Sequence, residues 1–276
     1  MTKTVDHTGL NTIANEFDSF ITGSDQVFNP ESNRGDMSFL LNFVREGKPR
    51  NAYSASIGSI SSFEKLYDQN ISELRKFSNI SMREKDAAEY LSEKLHKVCL
   101  YTVDPVWLLG KEEWMRFTSD RENKDYILVY NLLDQKIMRT YVQELSQKTG
   151  LKVIVINGTM IGELMYFKVG RNASNSGPDE FLSLIRHAKC IVTDSFHGTS
   201  FSIIFEKPFI SFPNMKKTTN TNSRLSSLLH ECGLENRLYA DDRKIDMFDD
   251  IDYTEVRKRM KPNIQRSFDY LKKICE

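Results

Sequence analysis

The chain lacks most of the features that mark specialised protein classes. Its four cysteines, Cys99, Cys190, Cys232 and Cys275, are scattered, and no two share C-x-x-C spacing. Neither a zinc site nor a disulfide framework is indicated, and the thiols suit a reducing, cytoplasmic setting. No apolar run approaches the ~20 residues of a membrane span, so any association with a membrane would be peripheral. The first residues, Met1-Thr2-Lys3-Thr4-Val5-Asp6-His7, have no apolar core of a signal peptide. Neither sign of charge is in excess: 38 Lys and Arg stand against 38 Asp and Glu. That balance removes the basic field that gathers nucleic acid. Two local basic runs remain, Arg257-Lys258-Arg259-Met260-Lys261 and Met215-Lys216-Lys217, and the first reads as the solvated face of a helix. There is no G-x-G-x-x-G, Walker sequence, H-E-x-x-H or G-x-S-x-G, and no cysteine–histidine pair of recognisable spacing. Internal repeats and low-complexity tracts are absent as well.

What is present reads as a globular protein. The 276 residues, 39% hydrophobic and 28% charged, fit one large or two ordinary domains. Apolar runs predict strands over 17–22, 50–57, 80–82 and 98–103, with helices over 63–76 and 85–95 between them. After a polar link at 110–124 the alternation resumes. Strands are predicted over 126–130, 151–156, 190–192 and 208–212. Helices are predicted over 137–149, from Pro178, from about Gly198, and over 224–232. A polar loop covers 218–223, and the tail from Thr254 to Ile274 reads as helical on either side of Pro262. Strands alternating with helices argue for α/β architecture with parallel sheets. The expected domains are 1–118 and 119–276, the C-terminal helices belonging to the second, with a cleft lined by strand ends from both.

The segment from Val192 to Ser202 carries the strongest local signal. A buried strand stops at Thr193-Asp194-Ser195-Phe196-His197-Gly198-Thr199 and hands over to an apolar helix. Ligands of open α/β sheets bind at the carboxyl ends of strands, and a helix N-terminus suits an anion. His197 could move a proton beside that anion; capping or packing is the competing reading, and both stay open on the pattern alone. Arg83 follows a strand, where its fork could clamp a carboxylate or phosphate; the alternative is an ion pair with Glu84 or Glu89. Arg224 opens a helix and has the same two readings, and Asp25 is either a ligand group or a turn cap. His7, His96, His187 and His230 read as structural.

Six segments in register resemble the polysaccharide pyruvyl transferase family. They are Gly23-Ser24-Asp25-Gln26-Val27-Phe28-Asn29-Pro30, Tyr53-Ser54-Ala55-Ser56-Ile57-Gly58, Ile80-Ser81-Met82-Arg83-Glu84, Asp104-Pro105-Val106-Trp107-Leu108-Leu109, Thr193-Asp194-Ser195-Phe196-His197-Gly198 and Asn222-Ser223-Arg224-Leu225. The resemblance runs from about residue 17 to residue 235. It implies two Rossmann-like domains facing a central cleft, as in GT-B glycosyltransferases. It also implies transfer of pyruvate from phosphoenolpyruvate to two hydroxyls of a sugar, with release of phosphate. Nothing in the sequence calls for a metal or a tightly bound cofactor. The acceptor would be a cell-surface glycan or its lipid-linked precursor. On this resemblance His197 is the catalytic residue, and Arg83, Arg224, Ser195, Gly198 and Thr199 bind the donor. Gly23, Ser24, Asp25, Gln26, Asn29 and Ser56 form the acceptor side. Some relatives carry an arginine at the position of Ser195, so here the anion falls to Arg224. Relatives also begin with a strand and an NYGA-type loop well before the GSDQ stretch, so the first domain is expected to be shortened at its N-terminus. The competing expectations are a nucleotide-sugar-dependent GT-B-like glycosyltransferase and a non-catalytic or truncated glycan-binding member.

Overall fold

The computed structural model describes residues 6–120, 125–133, 135–158, 170–215, 222–242 and 245–276. Lys216 and Lys217 of the second basic run, residues 218–221 of the expected loop and residues 121–124 of the expected link lie outside them. The chain divides into two compact units: Met1–Leu108 with Pro262–Glu276, and Leu109–Lys261. The division falls ten residues before the expected boundary (118 against 108), and the end of the chain belongs with the first unit rather than the second. The expected link is not all loop, since it carries a short helix at Lys111–Met115.

Unit 1 runs through α1 (His7–Ile13), β1 (Phe20–Thr22), β2 (Arg50–Ala55), α2 (Ile60–Phe63), α3 (Tyr67–Leu74), β3 (Asn79–Met82), α4 (Lys85–Leu95) and β4 (Cys99–Tyr101). Its strands form a parallel sheet in the order β1-β2-β3-β4. The helix expected over 63–76 is broken. Ser59 caps α2 through the Ser62 N–H, a 3₁₀ turn follows at Glu64–Leu66, and Leu66 leaves helical geometry before α3 begins. By contrast α4 has the expected bounds, with Ala87, Ala88, Leu91 and Leu95 as its buried stripe.

Unit 2 contains α5 (Lys111–Met115), β5 (Tyr126–Asn131), α6 (Lys136–Thr149), β6 (Lys152–Asn157), β7 (Arg171–Asn172), α7 (Pro178–His187), β8 (Cys190–Thr193), α8 (Phe196–Ile204), β9 (Phe209–Ser211) and α9 (Asn222–Cys232). Its sheet is parallel among the described residues, in the order β7-β6-β5-β8-β9. The chain starts in the middle at β5, winds outward through β6 and β7, then returns to β8 on the other side of β5. Right-handed crossovers place α6 on one face of the sheet and α7 and α8 on the other. In agreement, α7 packs on α8, while Met138, Val142 and Leu145 of α6 share a core with Ile127, Val129 and Val155. The β5/β8 junction is where the winding reverses, and sheets of this kind open a crevice at that point on their carboxyl edge.

The last helix, α10 (Tyr253–Cys275), runs through Pro262 instead of breaking there. One backbone bond is forfeited at the proline, but the apolar rhythm continues across it: Val256 and Met260 are buried before it, Tyr270 and Ile274 after it. Within unit 1 this helix is well anchored. The Tyr270 hydroxyl donates to the Ala52 carbonyl at 2.8 Å, Ser267 Oγ accepts the Val103 N–H at 2.9 Å, and Tyr53, Tyr270 and Ile274 form a small core of their own.

Candidate functional site

Two clusters contain the residues expected from the sequence, one in each unit. In unit 1 they gather at the carboxyl ends of the strands. Arg83 directly follows β3, and its N–H donates to the Ala55 carbonyl at 2.8 Å. Its guanidinium points into a set of acids. One terminal nitrogen donates to Asp104 Oδ2 at 2.9 Å, the other to Asp25 Oδ1 at 3.0 Å, and Nε stands 3.7 Å from Glu84 Oε1. The side chains of Arg83, Asp104 and Glu84 are almost wholly enclosed, whereas that of Asp25 is 59% exposed. Burial works against the Arg83 charge, yet Glu84, Asp104 and Asp25 together outweigh it and hold its pKa above the ordinary value.

Of the two sequence readings of Arg83, the ion pair with Glu84 is present, but it is buried and shared with Asp104 and Asp25 instead of lying on the surface. Both terminal nitrogens of the fork meet carboxylates here. The remaining expected residues of unit 1 build the loop that presents Asp25. Gly23 has φ +112, and a Cβ there would stand 2.1 Å from the Tyr53 carbonyl oxygen. Ser24 Oγ lies 2.9 Å from Asp104 Oδ2 and 3.0 Å from the Ser54 carbonyl. Asn29 donates to Gln26 Oε1 at 2.7 Å, and Ser56 Oγ accepts the Gly58 N–H at 3.1 Å. Asn29 and Ser56 are buried, so they shape the loop.

The unit 2 cluster sits at the winding reversal. Ser195 caps α8, its Oγ accepting the Gly198 N–H at 3.3 Å. Thr199 Oγ1 donates to the Ser195 carbonyl at 3.0 Å and lies 2.6 Å from Ser211 Oγ on β9. Ser195, Gly198 and Thr199 are buried, and the Ser195 and Thr199 side chains together with the Gly198 N–H fix the start of the helix. His197, the second residue of α8, is half-buried, its ring set edge-on to Phe196 with centroids 5.5 Å apart. Arg224 lies in the first turn of α9, which packs on α8.

Gly198 is needed for close approach. A Cβ there would stand 2.4 Å from Thr193 Oγ1 and 3.0 Å from Tyr130 Cδ1. The Thr193 hydroxyl is in no position to yield, since it donates to the Tyr130 carbonyl at 2.8 Å and accepts the Ser195 N–H at 3.0 Å. Gly198→Ala is therefore expected to lower stability by ~1–3 kcal/mol through overpacking, read as a shift of the urea midpoint at constant slope.

Asp194 is the residue the sequence left without a role. Its Oδ1 accepts the Leu132 N–H at 2.7 Å and its Oδ2 the Leu133 N–H at 3.0 Å. Gln135 Nε2 lies 3.5 Å from the same Oδ2, and Gln135 Oε1 accepts the Met215 N–H at 3.0 Å. Burial pushes the Asp194 carboxyl above its ordinary pKa, against the two backbone N–H groups that favour its charged form. The other histidines with described side chains lie away from both clusters in the contacts they make. His96 closes α4 in the left-handed region, His187 Nδ1 lies 2.9 Å from the Ser183 carbonyl, and His230 pairs with Glu235. The His7 side chain lies outside the described residues.

A parallel sheet wound outward from a central strand, with a capped helix and a histidine at the reversal, defines a Rossmann-like α/β unit. Solved structures of GT-B type share the fold. UDP-N-acetylglucosamine 2-epimerase from Rickettsia bellii matches with a TM-score of 0.56 and 13% identity, over 97% of this chain and 76% of that one. MnaA of S. aureus, solved with UDP, matches with 0.53 and 13%, over 94% and 72%. UDP-GlcNAc 2-epimerase from Methanocaldococcus jannaschii, in complex with UDP-GlcNAc and UDP, matches with 0.52 and 13%, over 93% and 72%. At such identity the likeness is one of fold. No curated protein sequence matches the chain. The polysaccharide pyruvyl transferase family does match, over residues 3–215, and the chain belongs to that family. It is a transferase that acts on a polysaccharide. No helix among the described residues is long and apolar enough to cross a membrane.

Proposed function

We propose that the protein transfers the pyruvyl group of phosphoenolpyruvate to two hydroxyls of one sugar, in a cell-surface polysaccharide or its lipid-linked precursor. The observation that carries this reading is His197, held at the first turn of α8 where the unit 2 sheet reverses its winding. A helix start, with an arginine on the helix packed against it, suits a donor that carries a carboxylate and a phosphate. Histidine is the side chain that exchanges protons near neutral pH.

The reaction balances without a cofactor. The vinyl CH2 of phosphoenolpyruvate takes a proton and becomes a methyl group, while the carbon bearing the phosphate gains positive charge. One sugar hydroxyl adds to that carbon and gives up its proton. The carbon–oxygen bond to phosphate then breaks, and the second hydroxyl adds to close the ketal. Of the two hydroxyl protons, one ends on the methyl group and the other on phosphate. His197 can supply the first proton and recover it from an attacking hydroxyl. The donor's anionic groups are assigned to the first turn of α8 and to Arg224. We assign Arg83 to positioning: it holds Asp25, whose exposed carboxylate is suited to accept hydrogen bonds from sugar hydroxyls.

The test is phosphate release from phosphoenolpyruvate with a panel of galactose-, mannose- and N-acetylhexosamine-containing acceptors. Acceptor-dependent release, with a product heavier than the acceptor by one pyruvyl ketal, is the expected result. Stabilisation of the protein by a nucleotide sugar but not by phosphoenolpyruvate would overturn the proposal.

A further inference from the structure

The N-termini of two helices flank the winding reversal in unit 2, α6 from one face of the sheet and α8 from the other. The turn leading from β5 into α6 offers two successive backbone N–H groups, at Leu132 and Leu133. Paired N–H groups of this kind at a strand-to-helix turn are the usual cradle for a phosphoryl group in nucleotide-binding α/β proteins. Here the cradle is filled from within. The buried Asp194 carboxylate sits across both N–H groups, one oxygen on each, at 2.7 and 3.0 Å. Its neighbour Gln135, itself buried, stands over the same carboxylate and ties the segment after β9 through the Met215 N–H.

We propose that Asp194 is a specificity-determining residue, its carboxylate occupying the backbone cradle at the β5–α6 turn and barring from it a further phosphoryl group such as that of a nucleoside diphosphate. The inference deepens the reading of unit 2 as the donor side and rests on it for its biological meaning. The site then accepts a donor with one phosphate beside α8, and a diphosphate meets both a filled cradle and a like charge. Two effects are combined in Asp194, occupancy and charge, and they are separable. Asparagine keeps the volume, removes the charge and leaves one oxygen to accept an N–H, with its NH2 still blocking the other half of the cradle; alanine or serine removes both the charge and the bulk.

The experiment is a calorimetric titration of the full chain with inorganic pyrophosphate, together with amide exchange at Leu132 and Leu133. Wild type is expected to keep both amides strongly protected, with no change on adding pyrophosphate. Asp194→Ala is expected to expose them and to bind pyrophosphate about tenfold more tightly or better, as two N–H groups become available to the anion. Pyrophosphate should then restore their protection. Asp194→Ser serves if the alanine variant does not fold. Asp194→Asn, which keeps one N–H held and the space of the cradle occupied, should gain clearly less than the alanine or serine variant. Equal gains for Asn and Ala would reduce the effect to charge and overturn the proposal. So would the absence of any gain, or a change of wild-type protection at Leu132 and Leu133 on adding pyrophosphate. The titration needs no turnover, so its outcome is separate from the fate of the phosphoenolpyruvate reading in the release assay.

Discussion

Replacing His197 by alanine is expected to lower acceptor-dependent phosphate release by ~10²–10⁴-fold, the usual worth of a positioned proton carrier. The fold should hardly notice the change. His197 is half-buried and outside the cores of unit 2, and the start of α8 is fixed by other groups. These are the Ser195 cap, the close approach at Gly198 and the anchor from Thr199 to Ser211. Removing such a side chain usually moves stability by no more than about 0.5 kcal/mol. The affinity for phosphoenolpyruvate should also hold, because the anionic groups are assigned to the helix start and Arg224. The loss then falls on kcat rather than on donor binding. Phosphate release and donor calorimetry on the same preparation check this. Near wild-type turnover would return His197 to the packing reading, and collapse of the fold would do the same by a different route.

The second large effect is expected on stability, at Arg83. Arg83→Met keeps much of the volume and deletes the cation that Asp104, Glu84 and Asp25 share. Asp25 can turn to water; Asp104 and Glu84, which are enclosed, cannot. Breaking a buried pair from one side costs ~3–5 kcal/mol, mostly from the charge left behind. The pH dependence has a definite sign. Without Arg83 the two buried carboxyls have their folded pKa values raised above the unfolded ones. A group so raised binds its proton more tightly in the folded state, so stability is lost as pH climbs past the unfolded carboxyl value. The deficit of Arg83→Met relative to wild type should therefore be larger at neutral pH than in mild acid. Denaturant unfolding at two pH values measures it. Adding Asp104→Asn and Glu84→Gln to the variant should recover part of the loss and remove the pH trend. A deficit independent of pH would mean that packing, not the carboxylates, gives Arg83 its structural weight.

Much of this fold was legible because its signals are local. The stripe Ala87, Ala88, Leu91 and Leu95 sets α4 residue for residue, and Pro178 with Asp179 and Glu180 marks the start of α7. The handover from β8 to α8 was legible for the same reason, as a buried run ending in a polar turn. Strand β7 was not, since Arg171 and Asn172 are both exposed and give no apolar signal. The tail was legible as helix on both sides of Pro262; that the helix runs unbroken through the proline was not, because a breaker's local cost is visible in sequence and the packing that offsets it is not. The clusters show the same limit. Arg83 could be marked as a strand-end cation, but its partners Asp104 and Asp25 lie 21 and 58 residues away. Asp194 stood inside a quoted motif with no assigned role, because the N–H groups it holds are 62 and 61 residues earlier.

The return of residues 262–276 to unit 1 has a consequence for how the protein is made. Synthesis runs from the N-terminus, and domains tend to fold as they emerge. Unit 2 is one uninterrupted stretch, Leu109–Lys261, and all of it has left the ribosome before residues 262–276 follow. Unit 1 is begun first and finished last: its Ala52 carbonyl, its Val103 N–H and the face of Tyr53 wait for Tyr270 and Ser267. The order of birth and the order of completion are thus reversed, and the last turns of the chain act as the closing piece of the part that was started first.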